Sequence, residues 1–323
     1  MIIAAHNSGA WLTETIDSAL AQTWSRREII VVDDGSTEDL RARIEPYGTA
    51  VSYIRQDNAG AGAARNTGIR AASGDFIAFL DHDDVWLSDK LSTQIAAAAR
   101  HPESGLIVCD GVQFDGERIL RESLYGPPLR RRLATAPEGE VTGRFYPEFV
   151  DANQVACPAQ TLIPRAVIER TGALATTRGE ASDLDYYLRI AHDHPVTFLG
   201  DRLVKWRYLA SSVSGPVERR PIEYAVMAVA VLSRHEELCA PQYRSMVRSR
   251  RRDLARAAAL KAFQHGYLQD RAYARASLGK LRRLAPRESH AALYLAALAL
   301  PPAVVMVLVH CWRQVRDLWR AAE

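Results

Sequence analysis

Phe76-Ile77-Ala78-Phe79-Leu80-Asp81-His82-Asp83-Asp84 is the stretch that decides how this chain folds. Its first five residues are a short apolar run that predicts a buried strand, and the run stops at three carboxylates and a histidine. A buried strand has no need of such a cluster. Like charges gathered at one point repel, and only a cation or open water relieves them. Hard oxygen donors on a rigid strand end suit Mg2+ or Mn2+, and such an ion in turn suits a phosphate-bearing substrate. An isolated Asp-x-Asp is more often a solvated acidic turn, so the flanking sequence has to decide.

Strand and helix signals alternate around it. Strands are expected at Ile2–Ala5, Glu28–Val32, Val51–Ile54, Phe76–Leu80 and Leu106–Asp110. Helices are expected at Ala10–Ala21, with Leu12, Ile16 and Leu20 on one face, at Glu38–Glu45 behind a Ser36 cap, at Gly62–Ala72 and at Lys90–Arg100. This order implies an α/β fold with a mainly parallel central sheet, in which ligands sit beyond the carboxyl ends of the strands. Asp33-Asp34 and Asp81–Asp84 both fall at such ends. Residues 115–160 are less regular, and Pro127-Pro128 with Arg130-Arg131-Arg132 read as an exposed, solvated loop.

The 323 residues suffice for a large domain with an extension. A net charge of +3 and the lack of a basic stripe interleaved with aromatics argue against nucleic acid. Cys109, Cys157, Cys239 and Cys311 lie far apart, without metal-ligand spacing, and read as reduced thiols of a cytoplasmic protein. Met1–Ala5 is too short, and lacks the basic flank, for a signal peptide; it reads as a first strand that a late start codon would clip. From about Pro221 the chain is helical and alanine-rich. Asp253–Pro286, interrupted at Gly266-Tyr267, is similar to one tetratricopeptide-like helix pair. Ala291 to Trp312 holds no Asp, Glu, Lys or Arg and is followed by Arg313, Arg316 and Arg320. It is expected either to meet a membrane or, broken at Pro301-Pro302, to form a buried hairpin.

Two further motifs carry chemistry. Asp33-Asp34-Gly35-Ser36 ends a buried strand, where a carboxylate accepts hydrogen bonds from a base or ribose, or merely caps a turn. Gly60-Ala61-Gly62 opens a helix after a strand, with Asp81 about twenty residues on, as a dinucleotide-binding turn would. The third small position of that fingerprint holds Arg65, too bulky for close helix–strand contact, which disfavours a nicotinamide-dependent oxidoreductase. Arg65 instead offers a cationic fork to a diphosphate or a base.

In order along residues 1–214, Ala5-His6-Asn7, Ser18–Gln22, Val31–Ser36, Asn58-Ala59-Gly60, Ala64-Arg65-Asn66-Thr67-Gly68-Ile69 and Phe79–Asp84 resemble glycosyltransferase family 2, inverting nucleotide-sugar transferases of GT-A fold. The resemblance implies a GT-A catalytic domain over 1–214, with a nucleotide-sugar half to about residue 112 and an acceptor half beyond, then a helical extension over 215–323. It implies that Asp34 contacts the nucleobase, Asp81 the ribose and Asp83 the divalent metal. Ala5, Asn7, Asn58, Gly62 and Arg65 would lie near the nucleotide. Ala181–Arg189 resembles the segment that supplies the catalytic base, which makes Asp183 the base although Ser182 stands where a glutamate is expected. Leu209 occupies the slot of a metal-binding histidine, so water or diphosphate oxygens would complete the shell; His192 and His194 read as surface residues. The Gln-x-x-Arg-Trp motif of processive synthases is absent, which implies one sugar added per encounter, to a glycan or lipid-linked acceptor at the cytoplasmic membrane face. The departures at Ser182 and Leu209 leave an inactive sugar-nucleotide-binding module as the alternative.

Overall fold

The computed structural model describes residues 1–176, 182–209 and 220–300. The chain divides into two compact units, Met1–Gly215 and Pro216–Glu323. The first unit is α/β: a parallel sheet with helices, joined to a second sheet.

The apolar runs become strands β1 (Ile2–Ala5), β2 (Ile30–Asp34) and β3 (Ser52–Gln56). The expected strand Phe76–Leu80 is split into β4 (Phe76–Ile77) and β5 (Phe79–Asp81), followed by β6 (Val85–Trp86). The first sheet runs β3-β2-β1-β5, every pairing parallel. The second sheet uses β7 (Leu106–Asp115), β8 (Arg118–Arg121), β9 (Glu140–Gly143), β10 (Thr161–Pro164) and β11 (Val196–Arg207), in the order β4-β10-β7-β11-β6. It is mixed rather than parallel: β7 and β11 run together, and the other pairings are antiparallel. Ala78 is the hand-off, since β4 pairs with β10 in one sheet and β5 with β1 in the other. The acidic stretch therefore springs from the seam of the two sheets.

Helices α1 (Trp11–Leu20), α2 (Leu40–Ile44), α3 (Ala61–Ala71) and α4 (Lys90–Arg100) lie within two residues of expectation at most ends. Leu12 and Ile16 are buried in one core with Ile3, Val31 and Leu80, and full burial of such a side chain is worth roughly 1.5–3 kcal/mol. One expectation fails here. Arg130–Arg132 lie not in a loop but in α5 (Pro127–Thr135). Pro127-Pro128 occupy its first positions, where no intrahelical N–H is required, so the prolines start the helix instead of breaking it. The three arginines are exposed, as expected. Among the described residues of the unit there follow α6 (Tyr146–Asp151), α7 (Arg165–Thr171) and α8 (Ser182–Asp193).

The second unit is helical: α9 (Arg220–Leu238), α10 (Pro241–Leu268), α11 (Arg271–Leu284) and α12 (Ala291–Ala297). The expected break at Gly266-Tyr267 is absent, because α10 continues to Leu268 and the turn falls at Gln269-Asp270. Asp270 caps α11 by accepting from Tyr273 N at 2.9 Å. Gly266 serves packing, since a Cβ there would lie 2.1 Å from Ala274 Cβ. Among the described residues no helix is long and apolar enough to cross a membrane. Residues 301–312 of the suspected membrane segment, like Ser211–Ser214 and Cys311, lie outside the described residues.

Candidate active site

The carboxyl ends of β1, β2 and β5 meet at the edge of the parallel sheet, and each delivers one part of the site. At the end of β2 two adjacent aspartates do different work. Asp33 Oδ1 accepts from Ser36 N at 2.8 Å, and Oδ2 accepts from Tyr53 Oη at 2.7 Å and Arg55 Nη1 at 2.6 Å. Burial works against its charge, but these donors hold its carboxyl below the ordinary aspartate range. Asp34 faces the other way. It accepts from Gln56 Nε2 at 2.7 Å, Ala59 N at 2.9 Å and Gly60 N at 2.7 Å, so its carboxylate orders the 58–60 loop.

Gly35 makes that arrangement fit. Its φ is +72°, and a Cβ would stand 2.7 Å from Asn58 N. After β1, Asn7 N donates to Ser36 Oγ at 3.0 Å and Asn7 Oδ1 accepts from Thr37 N at 2.9 Å. Asn58 Nδ2 lies 3.1 Å from His6 Nδ1, which faces the Asp34 carbonyl at 2.9 Å. Ala5, Asn7, Asp34 and Asn58 are thus brought together at the ends of β1 and β2.

Helix α3 ties this corner to the rest. Arg65, 7% exposed, donates from Nη2 to Asp81 Oδ1 at 2.5 Å, with its guanidinium 5.9 Å from the Phe79 ring centroid. It is therefore not at the close helix–strand contact of a dinucleotide fold; Gly68 makes that contact, where a Cβ would meet Ile2 Cγ2 at 2.3 Å. Thr67 Oγ1 donates to Gln56 Oε1 at 2.6 Å. Asn66 grips the Leu174 main chain twice: Nδ2 donates to its carbonyl and Oδ1 accepts from its N–H, both at 2.9 Å. At Gly62 a Cβ would stand 2.3 Å from the Ala175 carbonyl oxygen and 3.6 Å from Ser182 Oγ. One helix therefore holds the acidic strand end, Gln56 at the end of β3 and the main chain at Leu174.

Gly62→Ala is accordingly expected to destabilise the protein. Alanine gains about 0.5–1 kcal/mol within a helix, whereas forcing a methyl against backbone costs typically 1–3 kcal/mol. The clash wins, and urea denaturation is expected to show a lower midpoint; a midpoint equal to or above the parent's would remove the close approach from the account.

At the acidic stretch itself the three carboxylates differ. Asp81 is partly exposed and paired with Arg65. Asp83 is half-buried, and burial, with Asp81 adding to it, pushes its carboxyl above the ordinary range. Asp84 is 1% exposed and is pushed well above it, by burial first and then by Asp81 and Asp83. Arg207 is the counterweight that the sequence reading missed. Its N–H donates to Asp84 Oδ1 at 2.9 Å, Nε to the Asp83 carbonyl at 2.8 Å and Nη2 to Glu14 Oε2 at 2.5 Å. The guanidinium lies 4.1 Å from the Trp11 ring centroid and 4.5 Å from that of Phe114. Asp84 Oδ2 has no hydrogen-bond partner among the described residues.

Do these residues fit a divalent ion? Among the described residues no group of three His, Cys, Asp or Glu could hold one alone. Asp83 carries negative charge held out of water beside a second carboxylate, which a cation would relieve. Mg2+ and Mn2+ suit a site of one carboxylate completed by water and substrate phosphates. On that donor chemistry they fit.

The base candidate, Asp183, lies in the first turn of α8, half-buried. Its carboxyl is pushed above the ordinary range by burial, opposed by the Leu184 N–H and by the charge of Arg65. Arg65 thus faces both Asp81 and Asp183. Asp185 on the same helix accepts from Arg189 Nε at 3.0 Å, while Arg189 also donates to the Thr171 and Ala173 carbonyls. That clasp fixes α8 to the end of α7. Glu180 and Ala181 lie outside the described residues; Leu209 is half-buried just past β11.

Residues 1–147 match the model of Glycosyl transferase family 2. The N-terminal domain belongs to this family. An uncharacterized glycosyltransferase of Rickettsia prowazekii is 27% identical over 224 residues, 69% of this chain and 68% of that protein. A UDP-Glc:alpha-D-GlcNAc-diphosphoundecaprenol beta-1,3-glucosyltransferase of Escherichia coli, WfgD, is 37% identical over 98 residues, 30% of this chain and 39% of that enzyme. The chain spans 63%, 21% and 37% of the length of three other Rickettsia relatives, from R. typhi, R. bellii and R. felis. Among solved structures, S. aureus TarS 1-349 in complex with UDP superposes with a TM-score of 0.62 at 17% identity, over 100% of this chain and 91% of that one. A Pyrobaculum calidifontis mannosyltransferase in complex with GDP-Man and Mn2+ gives 0.56 at 18% identity, over 92% and 84%. This glycosyltransferase therefore shares the GT-A fold of both. Asn66, Gln56 and Arg207 are the site residues that sequence reasoning passed over. Asn66 lay inside the Ala64–Ile69 motif, and Arg207 beside the expected histidine slot.

Proposed function

We propose that this glycosyltransferase transfers one sugar from a nucleotide-sugar donor, a UDP-sugar, to a glycan or lipid-linked acceptor in cell-surface polysaccharide synthesis. The observation that carries this reading is Arg65 on α3, which donates to Asp81 at the acidic strand end and faces Asp183. The acceptor hydroxyl attacks the anomeric carbon as its proton passes to Asp183, and the bond from that carbon to the diphosphate breaks on the opposite face. The linkage is inverted, and the electron pair leaves with the nucleoside diphosphate. Arg65 steadies the donor side, and Asp34 keeps the 58–60 loop ordered beside the nucleoside. Asp83 would hold Mg2+ or Mn2+, which would supply charge compensation for the leaving group.

Support for UDP comes from the donor named for the E. coli relative and from the UDP bound to TarS. The same relative's diphosphoundecaprenol acceptor supports a lipid-linked substrate and, with it, work at the cytoplasmic membrane face.

A thermal-shift panel of nucleotide sugars with and without Mn2+, with NAD alongside, tests the donor class. UDP-sugars with Mn2+ are expected to raise the melting temperature; stabilisation by NAD alone would overturn the reading. EDTA is expected to lower transfer by about 10²-fold or more, given that a metal contributes several kcal/mol at a developing charge. Added Mn2+ is expected to restore it, and an EDTA-insensitive rate would remove the metal.

A further inference from the structure

The modest net charge hides a division. Residues 1–215 carry 22 Lys and Arg against 29 Asp and Glu, whereas residues 216–323 carry 19 against 9. Within 238–287 the imbalance sharpens to 13 against 2. On α10, Arg244, Arg248, Arg252 and Arg256 recur at every fourth position and are all exposed, so they form one stripe. On α11, Arg275 and Arg282 share an exposed face and Lys280 and Arg283 a neighbouring one, with the exposed Arg287 following the helix. Of the two acids in this span, Asp270 is spent on capping α11.

Arg248 pairs with Glu236 and Arg256 donates to the Glu288 carbonyl, but like charges one turn apart destabilise a helix, so folding does not account for the whole stripe. What the stripe offers is attraction for an extended anion. Two observations choose among anions. Among the described side chains of α10 and α11 no aromatic is exposed, so the stacking platform that single-stranded nucleic acid uses is missing. In the same unit α12 exposes Ala292, Ala296 and Leu293, the last at 68%, and the sequence stays uncharged to Trp312. Basic stripes accompanied by a bare aliphatic helix match the headgroup region of a bilayer rich in anionic lipid.

We propose that the C-terminal helical unit docks on an anionic membrane surface through the arginine stripes of α10 and α11. The inference is independent of the catalytic reading, since its measurement is binding and not transfer. The full chain is sedimented with vesicles of phosphatidylcholine alone or mixed with phosphatidylglycerol. Binding is expected only to the mixed vesicles, and to weaken at least tenfold when salt shortens the Debye length from about 10 Å to about 3 Å.

Joint Arg252→Gln, Arg256→Gln, Arg275→Gln, Arg282→Gln and Arg283→Gln substitution is expected to weaken binding by about tenfold or more at an unchanged melting temperature. Lysine at the same five positions should preserve it. Should the five-fold variant fail to fold, the pair Arg252→Gln and Arg256→Gln is expected to show a smaller loss of the same sign. Equal binding to neutral vesicles, or retained binding by the folded glutamine variant, would each overturn the proposal.

Discussion

Asp183→Asn is expected to lower the turnover of sugar transfer by roughly 10²–10⁴-fold while the donor still binds, the range typical of losing a positioned proton acceptor. Asparagine keeps the size of the side chain and its contact with the start of α8, and removes only the capacity to take a proton. Arg65 faces Asp183, so the neutral variant relieves some competition for that cation and should not weaken the donor site. Stopped assays of transfer, paired with donor titration in the presence of Mn2+, separate the two effects.

The pH profile adds an independent sign. A base works deprotonated, and burial raises the carboxyl of Asp183. Transfer is therefore fully present above that raised value and lost as pH falls through it, and the acid limb lies above the usual aspartate range. The groups facing Asp183 are Arg65 and Asp81, with Tyr187 on its own helix. Equal transfer rates in parent and variant would move the base elsewhere.

Arg207→Ala is expected to destabilise the first unit by about 1–3 kcal/mol, the usual cost of leaving a buried acceptor without its donor. Arg207 is 4% exposed; its truncation removes a positive charge from beside Asp84 and the Nε donor from the Asp83 carbonyl, while the main-chain N–H to Asp84 Oδ1 stays. It also leaves Trp11 and Phe114 facing a void. Glu14→Gln is the control. Its side chain is half in solvent, so the loss there should stay below about 1 kcal/mol. Urea denaturation followed by tryptophan fluorescence reads both, and similar losses in the two variants would mean that Arg207 acts through Glu14 alone.

Much of the first unit could be read from residue pattern because its physics is local. Buried parallel strands are continuous apolar runs, and the runs ending in Asp33-Asp34 and Asp81 lie where sheet topology requires. What stayed hidden depends on partners distant in sequence. Nothing local says that Phe76–Asp81 changes sheets at Ala78, since that follows from β10 lying beside β4. Lys90 looked like an ordinary helix residue; it is buried, donates to the Thr161 carbonyl at 3.1 Å and stands 3.8 Å from the Trp86 ring centroid, with burial lowering its pKa to about 8. Pro127-Pro128 suggest a loop because a helix start and a loop share that composition. Within the site, chemistry-bearing residues announced themselves by type, whereas Asn66 and Arg207 matter for what they hold.

The bracket from Asn66 reaches only main-chain atoms of Leu174. It recognises the course of the backbone and is blind to the side chains that follow. Exchange of the Leu174 side chain is therefore expected to leave this anchor in place, whereas exchange of Asn66 removes both bonds at once.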